Sequence, residues 1–475
     1  MKENEKKHGL VKVAGIMVLI SVLLTWVVPQ GTFQGSGITV TEITRVGIFD
    51  FFTYGLLGMY YFTVLVTFLF VLGAFYQVLS KTKGYQNLTN SIAKKFNGKE
   101  ILFTLVVSFL IAAISAVTNE YFVVLSIVPF IITIMNKMKL DKITGFVTTF
   151  GAILVGVLGS VYSTKVVGMS INYFSQYHEI TYSTLLWVRL VMFAVSYIAF
   201  NVFTVLHMKK ARKGNSEMIT DLFASTETNA NSKSGALSIA IVFGLFAIIT
   251  LLAYLPWTEA FNTKWTTNAL EAITGAEVFG SPIFKYILGN VTAFGQWDIF
   301  GVQIVMLVSI LVIKLIDKMS MNEVIESFGE GFKKVGKIVI ILLLCYVVLE
   351  FSVMFPVLPT IVDWFLGLFK NASEKLVLVI SPVAGLFTSL FTVEYQYTAS
   401  LIGLYLGNVH PDFYSQIAFM LQSTFGLASM FSPASAILLM GLSYLGISYK
   451  EWMKYIWKYV VLMFAVIIVL MIIIC

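Results

Sequence analysis

The sequence predicts an all-α, polytopic membrane protein, and three features of the chain indicate this fold class. First, 58% of its 475 residues are hydrophobic and only 12% are charged, whereas soluble domains average about 25% charged residues. Second, the mean hydropathy is +0.87. Third, apolar stretches of about 20 residues, the length that crosses a bilayer as a helix, recur along the chain.

These stretches locate the predicted spans. We expect full crossings near 10–28, 55–79, 143–174, 185–207, 235–254, 302–317, 337–355, 414–447 and 452–474. Two further regions, 101–136 and 376–406, are predicted to be re-entrant hairpins, because polar residues interrupt each of them midway. The start of the chain has the charge order of a signal peptide but lacks a small-residue cleavage site, so an uncleaved first helix is expected.

Basic residues predict the orientation and the location. Lys and Arg cluster in loops that share one side if both hairpins return to the side from which they enter. By the positive-inside rule that side, with the N-terminus, is cytoplasmic, in a cell membrane. The net charge of +7 follows from these loops and does not indicate nucleic-acid binding. The expected partners are the lipid bilayer and a small-molecule substrate.

A polar stretch divides the chain into two predicted halves. Residues 208–234 are rich in Ser, Thr, Asn and Lys, which predicts a flexible cytoplasmic linker. The N-terminal half, 1–207, contains the first hairpin and a broken helix. The C-terminal half, 235–475, contains the second hairpin and a second broken helix.

Two similar motifs place a glutamate within apolar sequence: Thr118-Asn119-Glu120-Tyr121 and Thr392-Val393-Glu394-Tyr395. A charge at the bilayer centre costs roughly 2.5–3.5 kcal/mol, so such residues usually mark an ion or substrate path. The alternative is an ordinary helix pair whose turn reaches the membrane surface. The shared Glu-Tyr favours binding by Thr118, Asn119, Glu120, Thr392 and Glu394. Glu350, near the outer end of its span, is expected only to extend towards the interface.

Two apolar stretches are too long for one straight crossing. Residues 143–174 and 414–447 would span about 48 and 51 Å as helices, against a hydrocarbon core of about 30 Å. Gly, Ser and Pro residues near their middles predict unwound breaks that line a cavity. Ser163, Thr164, Ser432 and Ser435 offer hydroxyl groups there, although small residues also pack at close helix contacts.

The motifs also indicate an inverted repeat and one unusual cation. Ser432 follows Ser163 by 269 residues, and Glu394 follows Glu120 by 274, as in a duplicated unit whose halves face opposite sides. Lys165, beside the first break, needs an anionic partner or a depressed pKa. It can form a structural ion pair with Glu120 or Glu394, replace a coupling cation, or contact a substrate carboxylate.

The chain resembles the DcuC/YfcC-like C4-dicarboxylate anaerobic carrier family of the ion transporter superfamily. The resemblance rests on the stretches 24–31, 73–84, 326–331 and 432–452, which are similar to helix ends and breaks of that family. It implies paired hairpins, two broken helices, a homodimer and elevator-like movement. The chain departs from the family at Ser163-Thr164, where an Asn-Pro pair is usual, and at Asn119-Glu120, where paired acids are usual. A C4-dicarboxylate substrate is therefore not inherited from the resemblance.

These observations predict a secondary active transporter of a small charged organic solute, either an amino acid or a carboxylate. Transport is expected to be coupled to Na⁺ or H⁺ or driven by exchange, without any other cofactor. The alternative is a cation/proton antiporter or an ion channel. An enzyme is not expected, because the chain lacks HExxH, Gly-x-Ser-x-Gly and Walker A motifs at credible positions.

Overall fold

A computed structural model describes residues 2–35, 37–174, 179–212, 214, 216–224 and 234–475, without the side chains of residues 2–8 and 404. The α-helices are Lys2–Val27, Ile48–Tyr61, Thr63–Ser80, Lys83–Lys95, Glu100–Thr118, Tyr121–Leu125, Val128–Lys137, Lys142–Phe146, Ala152–Leu158, Met169–Phe174, Leu186–Ala211, Ala236–Tyr254, Trp265–Gly275, Ile283–Leu288, Ile299–Asp317, Met321–Met354, Leu358–Gly367, Glu374–Ile380, Pro382–Ser389, Tyr395–Thr398, Leu404–Val409, Tyr414–Ser429, Ala436–Leu445 and Tyr449–Ile474. Wider π-helical turns occur at Val147–Gly151, Thr164–Gly168 and Ala399–Gly403, and a 3₁₀ turn at Pro411–Phe413.

Eight helices in this part of the chain are long and apolar enough to cross a membrane, which confirms the polytopic helical class. They are Gly9–Val27, Thr63–Ser80, Glu100–Thr118, Leu186–Ala211, Ala236–Tyr254, Ile299–Asp317, Met321–Met354 and Tyr449–Ile474. Helix Glu100–Thr118 is among them, although the sequence assigned it to a hairpin. The re-entrant hairpins and the inverted repeat stay predictions.

Three local features differ from the predicted spans. The span predicted at 55–79 is two helices, 48–61 and 63–80, joined at Phe62. The span predicted at 337–355 begins at Met321, where Ser320 and Glu323 form a capping box that starts the helix in polar sequence. A short antiparallel β-hairpin pairs Gly31–Gln34 with Gly37–Val40, so the fold is not entirely helical.

Most of the helices pack in two groups. The first group contains helices 2–27, 48–61, 63–80, 83–95, 236–254, 299–317 and 321–354. The second group contains helices 100–118, 152–158, 186–211, 382–389, 414–429 and 449–474. Each group draws helices from both sequence halves. The packing partners of a helix are therefore distant in sequence, and the division at 208–234 does not separate the two groups.

Glycines allow the closest helix contacts in both groups. A β-carbon added to Gly331 would lie 2.4 Å from the carbonyl carbon of Gly73, which no real side chain tolerates. In the second group, a β-carbon on Gly426 would lie 2.3 Å from the α-carbon of Leu158. This second contact joins the two long helices in which the sequence predicts breaks.

Part of the predicted linker is packed against the helices. Residues 216–224, which we call the linker strap, pair with the segment before helix 142–146, where the Ile219 amide donates to the Leu140 carbonyl at 3.0 Å. The Phe223 ring is 2% exposed and stacks on Tyr76 with the ring centroids 5.7 Å apart. On its other side it meets Tyr444. The strap therefore packs between helices 63–80 and 436–445. Residues 213, 215 and 225–233 of the linker lie outside the described residues.

Candidate functional site

The first glutamate motif forms a sharp helix break. Helix 100–118 ends at Asn119, whose backbone is left-handed with φ of 54°, and the next helix starts at Tyr121. Asparagine tolerates this conformation better than most residues. Its amide nitrogen donates to the Ser160 hydroxyl at 2.6 Å and lies 3.4 Å from the Ser163 hydroxyl. The first glutamate motif, residues 118–121, which we call the first tip, is therefore tied to the first predicted helix break.

The break in the first long helix falls where the sequence predicts it. Helix 152–158 ends at Gly159, and a π-helical turn resumes at Thr164. The Ser163 hydroxyl caps this turn by accepting from the Val166 amide at 3.1 Å. The Ser163 side chain thus holds the backbone of this break. Thr164, the next residue, is partly exposed.

Lys165 pairs with Glu120 across this junction. The ammonium nitrogen lies 3.1 Å from the Glu120 carboxylate, with side-chain exposures of 55% for the lysine and 15% for the glutamate. Of the two partners considered from sequence, the structure selects Glu120. The Thr118 hydroxyl accepts from the Glu120 amide at 3.2 Å and so holds the same turn.

The second glutamate motif, residues 392–395, which we call the second tip, places Glu394 just before helix 395–398. One carboxylate oxygen accepts from the Tyr346 hydroxyl at 2.8 Å, and the other from the Gln396 amide at 3.3 Å. Thr392, in the same motif, shares a hydrogen bond with Thr398. Tyr346 belongs to the first helix group and Glu394 to a segment packed on the second, so this bond joins the two groups.

The second predicted break lies between helices 414–429 and 436–445. The Ser432 hydroxyl donates to the Leu390 carbonyl at 2.7 Å and accepts from the Ala434 amide. Ser435 caps the following helix through the Leu438 amide. Both hydroxyl groups are therefore engaged by the backbone.

Charged groups from distant segments converge on the Glu120–Lys165 pair. Glu394 and Asp298 lie close enough for their charges to act on both members of the pair. Asp298 caps helix 299–317 and was not predicted as a site residue. The site thus contains three carboxylates and one ammonium group among the described residues, and its net charge is negative when all are ionised.

Four residues of this region were not predicted as site residues: Tyr346, Asp298, Gln422 and Glu350. The Gln422 amide donates to the Ser160 carbonyl at 2.6 Å and joins the two broken helices. The sequence signal that could have identified Gln422 is its position as a polar residue inside an apolar helix. Glu350 was expected to extend towards the interface, and this was wrong, since its side chain is buried with 6% exposure. Its helix packs against other helices at this position, which hides it from the lipid and from water.

A cavity of about 250 Å³ lies beside the first tip. Thr118 and Glu120 line one part, and Thr250 and Tyr254 of helix 236–254 line another. The remaining lining is aliphatic, and the buried Thr250 hydroxyl has no hydrogen-bond partner among the described residues. The cavity can accept a small organic group next to the charged pair.

The membrane helices, the two helix breaks and the charged groups between them define a membrane carrier. The sequence model of the DcuC family, C4-dicarboxylate anaerobic carriers, matches residues 9–475. The chain belongs to this family, and the predicted resemblance is confirmed. A carrier of this kind is not an enzyme, which agrees with the prediction from the motifs.

Two solved transporters resemble the chain over almost its whole length. The YdaH transporter of Alcanivorax borkumensis has 10% sequence identity and a TM-score of 0.41, covering 98% of this chain and 97% of its own. MtrF of Neisseria gonorrhoeae, described within a class of antimetabolite efflux pumps, has 13% identity and a TM-score of 0.34, covering 98% and 94%. No curated protein matches the chain.

Proposed function

We propose that the protein is a secondary active transporter of a small charged organic solute, an amino acid or a carboxylate. The observation that carries this proposal is the Glu120–Lys165 ion pair, 3.1 Å apart, at the junction of the first tip and the first helix break. Charged residues within apolar membrane segments usually mark a transport path. A pair of opposite sign can exchange its internal partner for the carboxylate or ammonium group of a solute.

The exposures of the two side chains support this exchange. Lys165 is 55% exposed although it lies beside a helix break in an otherwise apolar stretch. It is therefore the member that a solute carboxylate reaches first. Glu120 is mostly enclosed and adjoins the 250 Å³ cavity, so an ammonium or aliphatic group of the same solute can lie against it.

The linker strap supports alternating access. The Phe223 ring lies between Tyr76 of helix 63–80 and Tyr444 of helix 436–445. The strap follows the Lys- and Arg-rich end of helix 186–211, the side proposed to be cytoplasmic. A strap held there would obstruct the cytoplasmic side in this conformation, and the charged pair would then be reached from the other side.

The proposed transporter has further features. They are two re-entrant hairpins, an inverted repeat, a cytoplasmic N-terminus, location in the cell membrane, a homodimeric state and coupling to Na⁺ or H⁺. Thr118, Asn119, Ser163, Thr164, Thr392, Ser432 and Ser435 would hold the backbone of the breaks around Glu120, Lys165 and Glu394. Unwound backbone at membrane depth is stable where it is buried in protein or lines a cavity.

Uptake into proteoliposomes tests the proposal. Labelled succinate, aspartate and arginine would be offered under imposed Na⁺ and pH gradients, with wild type, Lys165→Met and Glu120→Gln. Wild type should accumulate at least one probe, and both variants should lose most of that uptake. Lys370→Met serves as a control, because Lys370 is exposed in a loop. Absence of gradient-dependent uptake of every amino acid and carboxylate in a broad panel would contradict the proposal.

A cation/proton antiporter or an ion channel is the second candidate, favoured by the excess of carboxylates over lysine at the site. An antiporter would give a pH signal in proteoliposomes when Na⁺ alone is added. A channel would give a steady current that does not saturate with solute concentration. Solute-dependent uptake without either signal favours the first proposal.

A further inference from the structure

Glu350 is a buried acid outside the charged pair. It lies on helix 321–354, its side chain is 6% exposed, and its Oε1 atom is enclosed without a hydrogen-bond partner in the described part of the chain. No ion pair to Glu350 occurs there either, whereas Glu120 has Lys165 at 3.1 Å and Glu394 has Tyr346 at 2.8 Å. Among the acids of this region, Glu350 therefore stands out as uncompensated.

The surroundings of Glu350 connect it to the second tip. On helix 48–61 it meets Gly58, where an added β-carbon would lie 3.2 Å from the Glu350 β-carbon. On its own helix it lies one turn after Tyr346, the residue that binds Glu394. From the second tip, Tyr397 interacts electrostatically with both Glu350 and Glu394. The titratable groups placed near Glu350 by these contacts are thus Tyr346 and Tyr397, and neither is basic.

An ionised carboxylate in such a place is far less stable than the neutral acid. Burial removes the water that stabilises the charge, and in the described part of the chain no hydrogen-bond donor replaces that water at Oε1. The uncharged acid loses much less hydration free energy on burial. The enclosed site therefore favours the neutral acid, and ionisation requires that water reach the side chain.

We propose that Glu350 is the proton-carrying residue that couples solute movement to a proton gradient. The inference rests on the proposed transporter function and names H⁺ as its coupling ion. When the second tip moves away from helix 321–354, water reaches Glu350, and the carboxylic acid releases its proton to that water as a carboxylate forms. Return of the tip requires the carboxylate to take up a proton again. Glu120 differs from Glu350 in that an ammonium group, that of Lys165, lies 3.1 Å from its carboxylate.

Infrared spectroscopy tests the protonation directly. Wild type, Glu350→Gln and Glu326→Gln would be compared in lipid nanodiscs at neutral pH. Glu326 is the matched control, an exposed glutamate on the same helix. The C=O stretching band of a protonated carboxylic acid should be smaller in Glu350→Gln by about one residue, and unchanged in Glu326→Gln. Equal bands in all three proteins would overturn the proposal.

Transport tests the coupling. In proteoliposomes with labelled succinate, aspartate and arginine, Glu350→Gln should lose accumulation driven by a pH gradient. It should retain exchange of the same solute across the membrane at zero gradient, which also shows that the variant is folded. Accumulation by Glu350→Gln at the wild-type level would refute the coupling role. Failure of the proposed transporter function would look different from failure of the Glu350 proposal. Wild type would then accumulate none of the probes, while the infrared difference persisted.

Discussion

Replacement of Lys165 by methionine removes the partner of Glu120 while keeping most of the side-chain length. The ion pair is 3.1 Å long, and its members differ in burial, with 15% exposure for the glutamate and 55% for the lysine. Breaking a fully buried pair costs about 3–5 kcal/mol, and exposed pairs contribute only about 0.2–1 kcal/mol. Since this pair lies between these limits, we expect Lys165→Met to lower the free energy of unfolding by about 2 kcal/mol.

Replacement of Glu120, the other member of the pair, by glutamine should lower the free energy of unfolding by less. In Glu120→Gln the half-exposed lysine retains water, so its charge is not left in an apolar site. The double variant should resemble Glu120→Gln, because the neutral glutamine no longer needs a cation. The coupling free energy between the two positions then equals the Lys165→Met effect in magnitude, about 2 kcal/mol.

The assay is equilibrium unfolding of the four proteins in mixed micelles, followed by tryptophan fluorescence. Lys370→Met, an exposed lysine in a loop, provides the control for loss of one positive charge. Strictly additive effects of the two single substitutions would show that the pair contributes nothing. A Glu120→Gln variant less stable than Lys165→Met would refute the reasoning from burial.

Three further predictions concern packing and pH. Phe223→Ala should destabilise the protein by about 3–5 kcal/mol, as for other buried aromatic truncations, measured by thermal unfolding; an unchanged midpoint would show that the strap does not contribute to stability. Gly331→Ala should prevent the close approach to Gly73 and reduce the yield of monodisperse protein, while Gly336→Ala on the same helix, with open space around it, should not; equal yields would contradict this packing. Burial acts to raise the pKa of Asp141, but hydrogen bonds from His207 and Thr144 outweigh it and lower the pKa below its usual 3.8. A lowered carboxyl pKa stabilises the fold above about pH 4, and this contribution is lost as the pH falls through the folded value. Asp141→Asn should therefore be less stable than wild type near pH 7 and differ little at the acidic end, by thermal melts across pH; a constant difference would disprove the link.

The helix breaks and the motif glutamates were predictable because their signals are local. A glutamate in an apolar segment, and a 32-residue apolar stretch containing Gly159 and Ser163, are visible without knowledge of any neighbour. The structure places breaks at both predicted positions. The roles of the hydroxyl groups were less predictable, since Ser163, Ser432 and Ser435 bind backbone groups whose positions depend on the break itself.

The residue pattern alone was enough to predict a polytopic helical membrane protein that resembles the carrier family, with two glutamates and two helix breaks in apolar segments. Apolar length and the cost of polar groups in lipid act within each segment, so a single segment reveals them. Only the tertiary structure decided that Lys165 pairs with Glu120, that residues 216–224 pack between helices, and that Glu350 is enclosed. These three facts depend on contacts between segments far apart in the chain, because burial and pairing are set by neighbouring helices and not by the residue's own helix.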